Sequence, residues 1–137
     1  MVDIHCHILP MVDDGSNTIE TSLAMLDAAY HDGSDAFILT PHYACEYSFD
    51  NPKEKVMTLF EEFKEIVRQE GIPVNLYPGC EFLFSSAESF KEHFDDITLM
   101  NHTRYQLMEF YFDAEEKEII EAVDCVLNSG RIPILAH

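Results

Sequence analysis

Basic residues are scarce in this chain of 137 residues: eight lysines and arginines stand against 26 aspartates and glutamates, giving a formal net charge of −18. This deficit argues against a broad basic surface of the kind that binds the phosphates of nucleic acids. It also disfavours docking on an anionic membrane. An anionic substrate would need a local positive centre, which bound metal ions can supply.

Other absences narrow the class further. No two cysteines have the CxxC spacing of a structural zinc site, and the four cysteines are spread too widely for a compact disulfide framework. No apolar run has the length of a membrane span, and no signal-peptide segment follows the first residue. We therefore expect one cytoplasmic domain over residues 1–137, with reduced thiols and no membrane insertion.

Apolar runs alternate with amphipathic segments, which predicts an α/β fold built from parallel strands. Strands are expected at 2–9, 35–40, 74–81, 97–100, 105–110 and 132–137. Helices are expected after Asn17, with Glu20 as its capping partner, after Pro52, from Ser86 and after Asp113.

Two histidines in the first strand, His5 and His7, are the most informative feature of the chain. Side chains two positions apart in a strand point to the same face, so both imidazoles can hold one cation. Cys6 lies between them and is predicted to face the other way.

Further metal-ligand residue types stand at or just after the other predicted strands. The carboxyl ends of parallel strands gather at one face, so these groups should converge. Seven nitrogen and oxygen donors are too many for one tetrahedral ion and suit two or three bridged ions. The predicted ligands are His5, His7, Asp14, His42, Glu81, Glu109 and His137.

Each ligand alone has an ordinary alternative. A single histidine after a strand is commonly a hydrogen-bonded loop residue, and Asp14 could cap a turn. His31 and His93 are interpreted as surface residues, while His102 stays an outside candidate. Cys125 and Arg131 have the C-x5-R spacing of cysteine-dependent phosphatases, but Cys125 falls inside a predicted amphipathic helix and is interpreted as a core residue.

The motifs together resemble the polymerase and histidinol phosphatase (PHP) superfamily of metal-dependent phosphoesterases. The opening is more specific and resembles the bacterial protein-tyrosine phosphatases of capsular and extracellular polysaccharide synthesis. The matching segments are DIHCHILP (3–10), DDG (13–15), TPH (40–42), PGCE (78–81), LMEF (107–110) and PILAH (133–137).

The resemblance implies a distorted (β/α)7 barrel with a trinuclear site, usually of manganese, with zinc or iron as alternatives. By matching position, His5 and His7 would bind one ion with Glu81. Glu81 would bridge to a second ion held by Glu109 and His137. Asp14 and His42 would belong to the third ion.

The resemblance also implies a function: hydrolysis of phosphotyrosine on a tyrosine autokinase that regulates polysaccharide synthesis, by metal-activated water with no protein nucleophile. Family members continue beyond the position of His137 with an arginine and an Asp-x-His pair, so we expect an incomplete barrel lacking its C-terminal strands. The alternatives are a small-molecule phosphatase acting on a substrate such as histidinol phosphate, and an inactive metal-binding fragment. A homo-oligomer is left open.

The loop after His42 carries three aromatic residues, Tyr43, Tyr47 and Phe49. They could flank an aromatic substrate or simply pack the loop.

Overall fold

The computed structural model describes residues 1–137 and confirms the α/β class with parallel sheets. Seven strands and four α-helices follow one another along the chain, with short 3-10 turns between some of them. Their bounds are β1 Val2–Cys6, α1 Ile19–His31, β2 Ala36–Leu39, β3 His42–Tyr43, α2 Lys53–Gln69, β4 Asn75–Pro78, β5 Glu81–Leu83, α3 Ala87–Glu92, β6 Tyr105–Glu109, α4 Glu116–Asn128 and β7 Ile132–Leu135.

Every pair of neighbouring strands is parallel. One sheet has the order β1-β2-β4, and the second has the order β3-β5-β6-β7. Only two residues separate β2 from β3, and two separate β4 from β5. Each of these pairs is therefore one stretch of chain that passes from the first sheet into the second. The strands therefore occupy five positions whose spatial order is their order along the chain.

The predicted single strand over 74–81 is wrong in detail, since the chain forms β4 and β5 with a break between them. At the break, a Cβ added to Gly79 would lie 2.9 Å from Cγ2 of Ile38, so the backbones approach too closely for a side chain. Hydrogen bonding between the neighbouring strands resumes where the Glu81 amide donates to the carbonyl of Pro41 at 3.0 Å. This resumption brings Glu81 into register beside His42.

Two helix starts also differ from the prediction. The side chain of Thr18, not Asn17, accepts the amide of Thr21 and begins α1. Helix α4 is capped by Glu115 instead of Asp113, through a capping box with Glu118. Both corrections are shifts of one or two residues between adjacent cap-forming side chains.

The strand predicted at 97–100 does not form. Ile97 and Thr98 are buried in an irregular segment, and a 3-10 turn over Met100–His102 follows. Asn101 has a φ of 47° and His102 a φ of 56°, in the left-handed region that no strand uses.

Two hydrophobic clusters cover the sheets. One packs α1 and α2 against the first sheet and contains Leu26, Phe37 and Phe60; the other packs α3 and α4 against the second sheet through residues such as Phe90, Met108 and Val126. No helix has both the length and the apolar character that crossing a bilayer requires.

Candidate metal centre

The structure brings all seven predicted ligands to one end of the strands. His5 lies in β1 and His7 directly follows it. The other strands contribute residues at their ends or next to them, while Asp14 comes from the loop after β1. His42 is the first residue of β3 and Glu81 the first of β5, each just past the end of β2 or β4, whereas Glu109 is the last residue of β6 and His137 follows β7.

Glu81 is the centre of this group. Its Oε2 lies 3.1 Å from Nε2 of His5 and 3.2 Å from Nε2 of His7. Nδ1 of His42 is 3.2 Å from the same oxygen. His137 is more distant, with its Nε2 at 3.9 Å from the other carboxylate oxygen.

The Glu81 side chain is fully buried, yet neither of its oxygens has an aligned hydrogen-bond partner. The ring nitrogens approach at contact distance without hydrogen-bond geometry. A buried carboxylate without such bonds is costly unless a cation binds it. The convergence of imidazole nitrogens and carboxylate oxygens on one buried, unsatisfied group therefore fits a divalent metal ion.

Three overlapping donor sets surround this point, and in each the ligand atoms lie within 4.8 Å of one another. Neighbouring sets share residues, which is the arrangement expected of bridged ions about 3.5–4 Å apart. The sets are His5, His7 and Glu81; His7, Asp14 and His42; and His42, Glu81 and Glu109. The predicted ligand His137 belongs to none of them.

Asp13 is the residue of this centre that the sequence analysis missed. Its fully buried side chain contacts Nδ1 of His7 at 2.9 Å and accepts the backbone N–H of His42 at 2.9 Å. A carboxylate on the far nitrogen fixes the orientation and tautomer of a ligating imidazole. The DDG motif beside two histidines was the available signal, since a histidine ligand commonly needs such a partner.

Charge coupling shifts the pKa values of these groups. Burial opposes charging of His7, but the contacts with Asp13 and Glu81 outweigh it and raise its pKa to about 10. Burial raises the pKa of Glu81, yet the His5 and His7 rings more than compensate and lower it to about 2. The pKa of His42 is also raised, because its contact with Glu109 outweighs burial and repulsion from His7.

Gly15 allows the loop after β1 to close against His7. A Cβ at this position would lie 2.3 Å from the carbonyl oxygen of His7 and 2.4 Å from its Cβ. The Gly15 amide donates to Oδ1 of Asp13 at 3.0 Å, and the Ser16 amide donates to the His7 carbonyl at 3.1 Å. The loop thus holds Asp13 and Asp14 beside the histidines.

The remaining histidines lie outside the centre. His31 and His102 are exposed. The interpretation of His93 as a surface residue is wrong, because it is partly buried and its Nδ1 lies 2.9 Å from the hydroxyl of buried Tyr43. Its position in an acidic helical segment concealed that contact.

The cysteines take no part in the centre. Cys125 lies within α4 and packs against the second hydrophobic cluster, as predicted. Cys6 packs against the first cluster, and burial, followed by the charge of Asp3, raises its pKa to about 12. Such a thiol is a poor nucleophile near neutral pH.

Several characterised proteins are similar over the whole chain. This chain is 30% identical over 137 residues to the tyrosine-protein phosphatase CpsB of Streptococcus pneumoniae, and the match covers 100% of this chain and 56% of that protein. This chain is also 31% identical over 137 residues to the tyrosine-protein phosphatase YwqE of Bacillus subtilis, and the match covers 100% of this chain and 54% of that protein. The chain thus spans about half the length of the curated relatives it matches.

The fold agrees with these similarities. A chain from the crystal structures of YwqE from B. subtilis and CpsB from S. pneumoniae, described as unique metal-dependent tyrosine phosphatases, matches with a TM-score of 0.89 and 31% identity. The match covers 100% of this chain and 55% of that chain. The profile of one protein family also matches residues 1–137 throughout. The chain therefore belongs to the capsular polysaccharide synthesis family CpsB/CapC.

Proposed function

We propose that this protein is a metal-dependent phosphoesterase that removes phosphate from tyrosine residues of a protein. The observation that carries the proposal is the buried, unsatisfied Glu81 carboxylate at the meeting point of overlapping donor sets. The relatives are named tyrosine-protein phosphatases, and the matching solved structures are described as metal-dependent.

Two or three manganese ions, with zinc or iron as alternatives, would be held by the six residues of the donor sets, with His137 as a further ligand next to them. His5, His7 and Glu81 form one donor set, while His42 links the other two through Asp14 and Glu109. When bound, such ions neutralise the phosphoryl oxygens and lower the pKa of water enough to attack phosphorus near neutral pH. No protein nucleophile is then required.

The chain's own residues orient the donors and control the charge of the centre. Asp13 holds His7 through Nδ1, which leaves Nε2 directed at Glu81. The side chain of His42 is largely buried, whereas that of Asp14 is 67% exposed. Asp14 therefore lies on the open side, from which a phosphate ester would enter.

We further propose that the chain is a single PHP-type domain forming part of a distorted (β/α)7 barrel. The strand order follows the chain order without the reversal typical of doubly wound sheets. Five strand positions would separate the edges of a flat sheet by about 19 Å. The rings of His5 and His137, from opposite edges, have centroids 5.4 Å apart, which supports a curved sheet.

The proposed substrate is a phosphotyrosine protein, such as a bacterial tyrosine kinase that regulates capsular or exopolysaccharide synthesis. This assignment rests on the family and on the names of its members. A cytoplasmic location and self-association belong to the same proposal, whereas the net charge of −18 argues against nucleic acid as a partner.

The test is hydrolysis of an aryl phosphate and of a phosphotyrosine peptide by the full-length protein after manganese is added. The double variant His5→Ala, His7→Ala should lose both manganese and turnover, whereas the surface variant His31→Ala should keep them. Activity that survives the double substitution would refute the metal mechanism. Faster turnover of histidinol phosphate than of the peptide would favour the small-molecule alternative, and metal binding without turnover would favour the inactive fragment.

A further inference from the structure

A cavity of about 310 Å³ opens beside the candidate metal centre. This volume is at the lower end of the range of small-molecule pockets, about 300–1,000 Å³. Part of its wall consists of metal-ligand candidates, and the rest comes from the loop after β3. The lining residues are Asp14, His42, Ala44, Tyr47, Phe49 and Glu109.

The loop side of the cavity is aromatic. Phe49 stacks on the imidazole of His42, with centroids 5.5 Å apart and ring planes within 13° of parallel. Tyr47 meets Tyr111 at 6.0 Å and 63°. Tyr47 is nevertheless 58% exposed. An aromatic residue that only packs its own loop would be largely buried, so this exposed ring is available to a ligand.

The loop is held in place independently of any ligand. Ala44 and Phe49 exchange two backbone hydrogen bonds, with N···O distances of 3.0 and 3.1 Å, around a 3-10 turn over Cys45–Tyr47. Below it, the buried Asn51 amide donates to the carbonyl of His42 at 2.7 Å and to that of Val12 at 3.0 Å. The aromatic wall is therefore fixed relative to His42, and little ordering should be needed on binding.

We propose that Phe49 and Tyr47 form a subsite for the aromatic ring of an aryl phosphate and give this protein a preference for aryl over alkyl phosphate esters. The inference rests on the proposed function and names the residues that would select its aryl substrate. A phosphoryl group near His42 and Glu109 places the attached ring in this cavity. Hydrolysis breaks the phosphorus–oxygen bond to the ring, with water supplying oxygen to phosphorus and a proton to the departing phenol.

The kinetic test compares an aryl phosphate with an alkyl phosphate in the full-length, manganese-loaded protein. Phe49→Leu and Tyr47→Leu should each lower kcat/KM for the aryl ester by about tenfold and leave the alkyl ester within about twofold. Tyr47→Phe, which keeps the aromatic ring, should retain the preference for the aryl ester over the alkyl ester. Phe112→Leu is the matched control, because Phe112 is fully exposed and does not line the cavity.

A second measurement does not depend on turnover. Residues 1–137 contain no tryptophan, so Phe49→Trp places the one tryptophan of this segment in the cavity wall, where its emission can be excited selectively above the tyrosine band. Phenylphosphonate should shift its emission more than methylphosphonate does. In calorimetry, the protein with its natural Phe49 should bind the phenyl compound more tightly. Bound manganese is measured for every variant. Because Phe49 stacks on the His42 ring, this measurement distinguishes loss of metal at His42 from loss of the aromatic subsite.

The outcomes separate the two proposals. An equal fall for both esters, or equal binding of the two phosphonates, would overturn the aromatic subsite while leaving the phosphoesterase intact. If neither ester is hydrolysed by the unsubstituted protein, the proposed function fails. The phosphonate preference then decides the subsite by itself.

Discussion

Asp13 and His7 are joined by a 2.9 Å contact between the carboxylate Oδ2 and the ring Nδ1. The contact leaves Nε2 of His7 at 3.2 Å from Glu81. The same Oδ2 accepts the backbone amide of His42, so one carboxylate orients two candidate ligands without belonging to any of the donor sets. Variants at Asp13 can therefore separate positioning of the ligands from metal binding itself.

Asp13→Ala should weaken manganese binding by about 10–100-fold, because His7 loses the group that fixes its tautomer and orientation. Titration of the metal-stripped protein by calorimetry measures the effect. The manganese affinity of Asp13→Asn should fall between those of the unsubstituted protein and Asp13→Ala, since the amide oxygen can still accept from Nδ1 of His7. Asp124→Ala, on the exposed face of α4, is the control. Unchanged affinity in Asp13→Ala would show that the pair has no positioning role.

Shared and unshared ligands should differ in the number of ions lost. Glu81 belongs to two donor sets and His5 to one. Glu81→Gln should therefore lose about two ions per chain and His5→Gln about one, if each set holds an ion. Elemental analysis after dialysis provides the count, and circular dichroism checks that the fold persists. Exposed Glu92→Gln should retain the full complement, and equal losses in the two test variants would contradict bridging by Glu81.

Stability of the metal-free protein should depend on pH in both directions. The pKa of His7 is raised from 6.5 to about 10, so its stabilisation is complete below pH 6.5 and is lost as pH rises through 10. The pKa of Glu81 is lowered from 4.5 to about 2, so its stabilisation is complete above pH 4.5 and is lost as pH falls towards 2. Both contributions are complete between pH 4.5 and pH 6.5. In thermal melts of chelator-treated protein, the stability contributed by this site should therefore be greatest in that range.

Metal affinity should follow the opposite trend on the alkaline side. A charged His7 must lose its proton to become a ligand, so manganese binding should release protons and strengthen with rising pH, by up to about tenfold per pH unit for each proton. Calorimetry in buffers of different ionisation enthalpy measures the release. His31→Ala should behave like the unsubstituted protein, and binding that releases no proton would argue against His7 as a ligand.

Gly15→Ala should distort the loop over His7, because the new methyl group would meet backbone and side chain at 2.3–2.4 Å. Overpacking of this kind costs about 1–3 kcal/mol, and manganese affinity should fall with it. Gly130→Ala is an instructive comparison. Gly130 has a φ of 86° but open space around it, so alanine there should cost only about 1 kcal/mol and leave metal binding unchanged. Melting curves and metal titration together separate steric conflict from backbone strain.

The clustering of the candidate ligands could be predicted from the sequence for a simple geometric reason. Parallel strands joined by helices bring their carboxyl ends to one edge, so any ligand residue type found there points to a shared site. His5 lies near the end of β1, and His42 and Glu81 lie just past the ends of β2 and β4. Both histidines contact Glu81 in the structure. That these residues bind metal stays a prediction until ions are measured.

The rest could not be predicted because it depends on contacts between distant segments. The break between β4 and β5 reflects the close approach of Ile38 to Gly79, and nothing in the local apolar run indicates it. The start of α1 was decided between two adjacent cap residues of similar propensity, Asn17 and Thr18. Asp13 and Asp14 are likewise adjacent carboxylates, and only the folded loop decides which of them orients His7 and which faces the open side.

The proximity of His5 and His137 has a consequence for how the protein matures. These two rings lie far apart in the sequence, so a piece of the chain without β1 or β7 lacks one of them. During synthesis, β1 leaves the ribosome long before β7 is made. The contact between the rings, and the sheet curvature that it reflects, should therefore form late in folding.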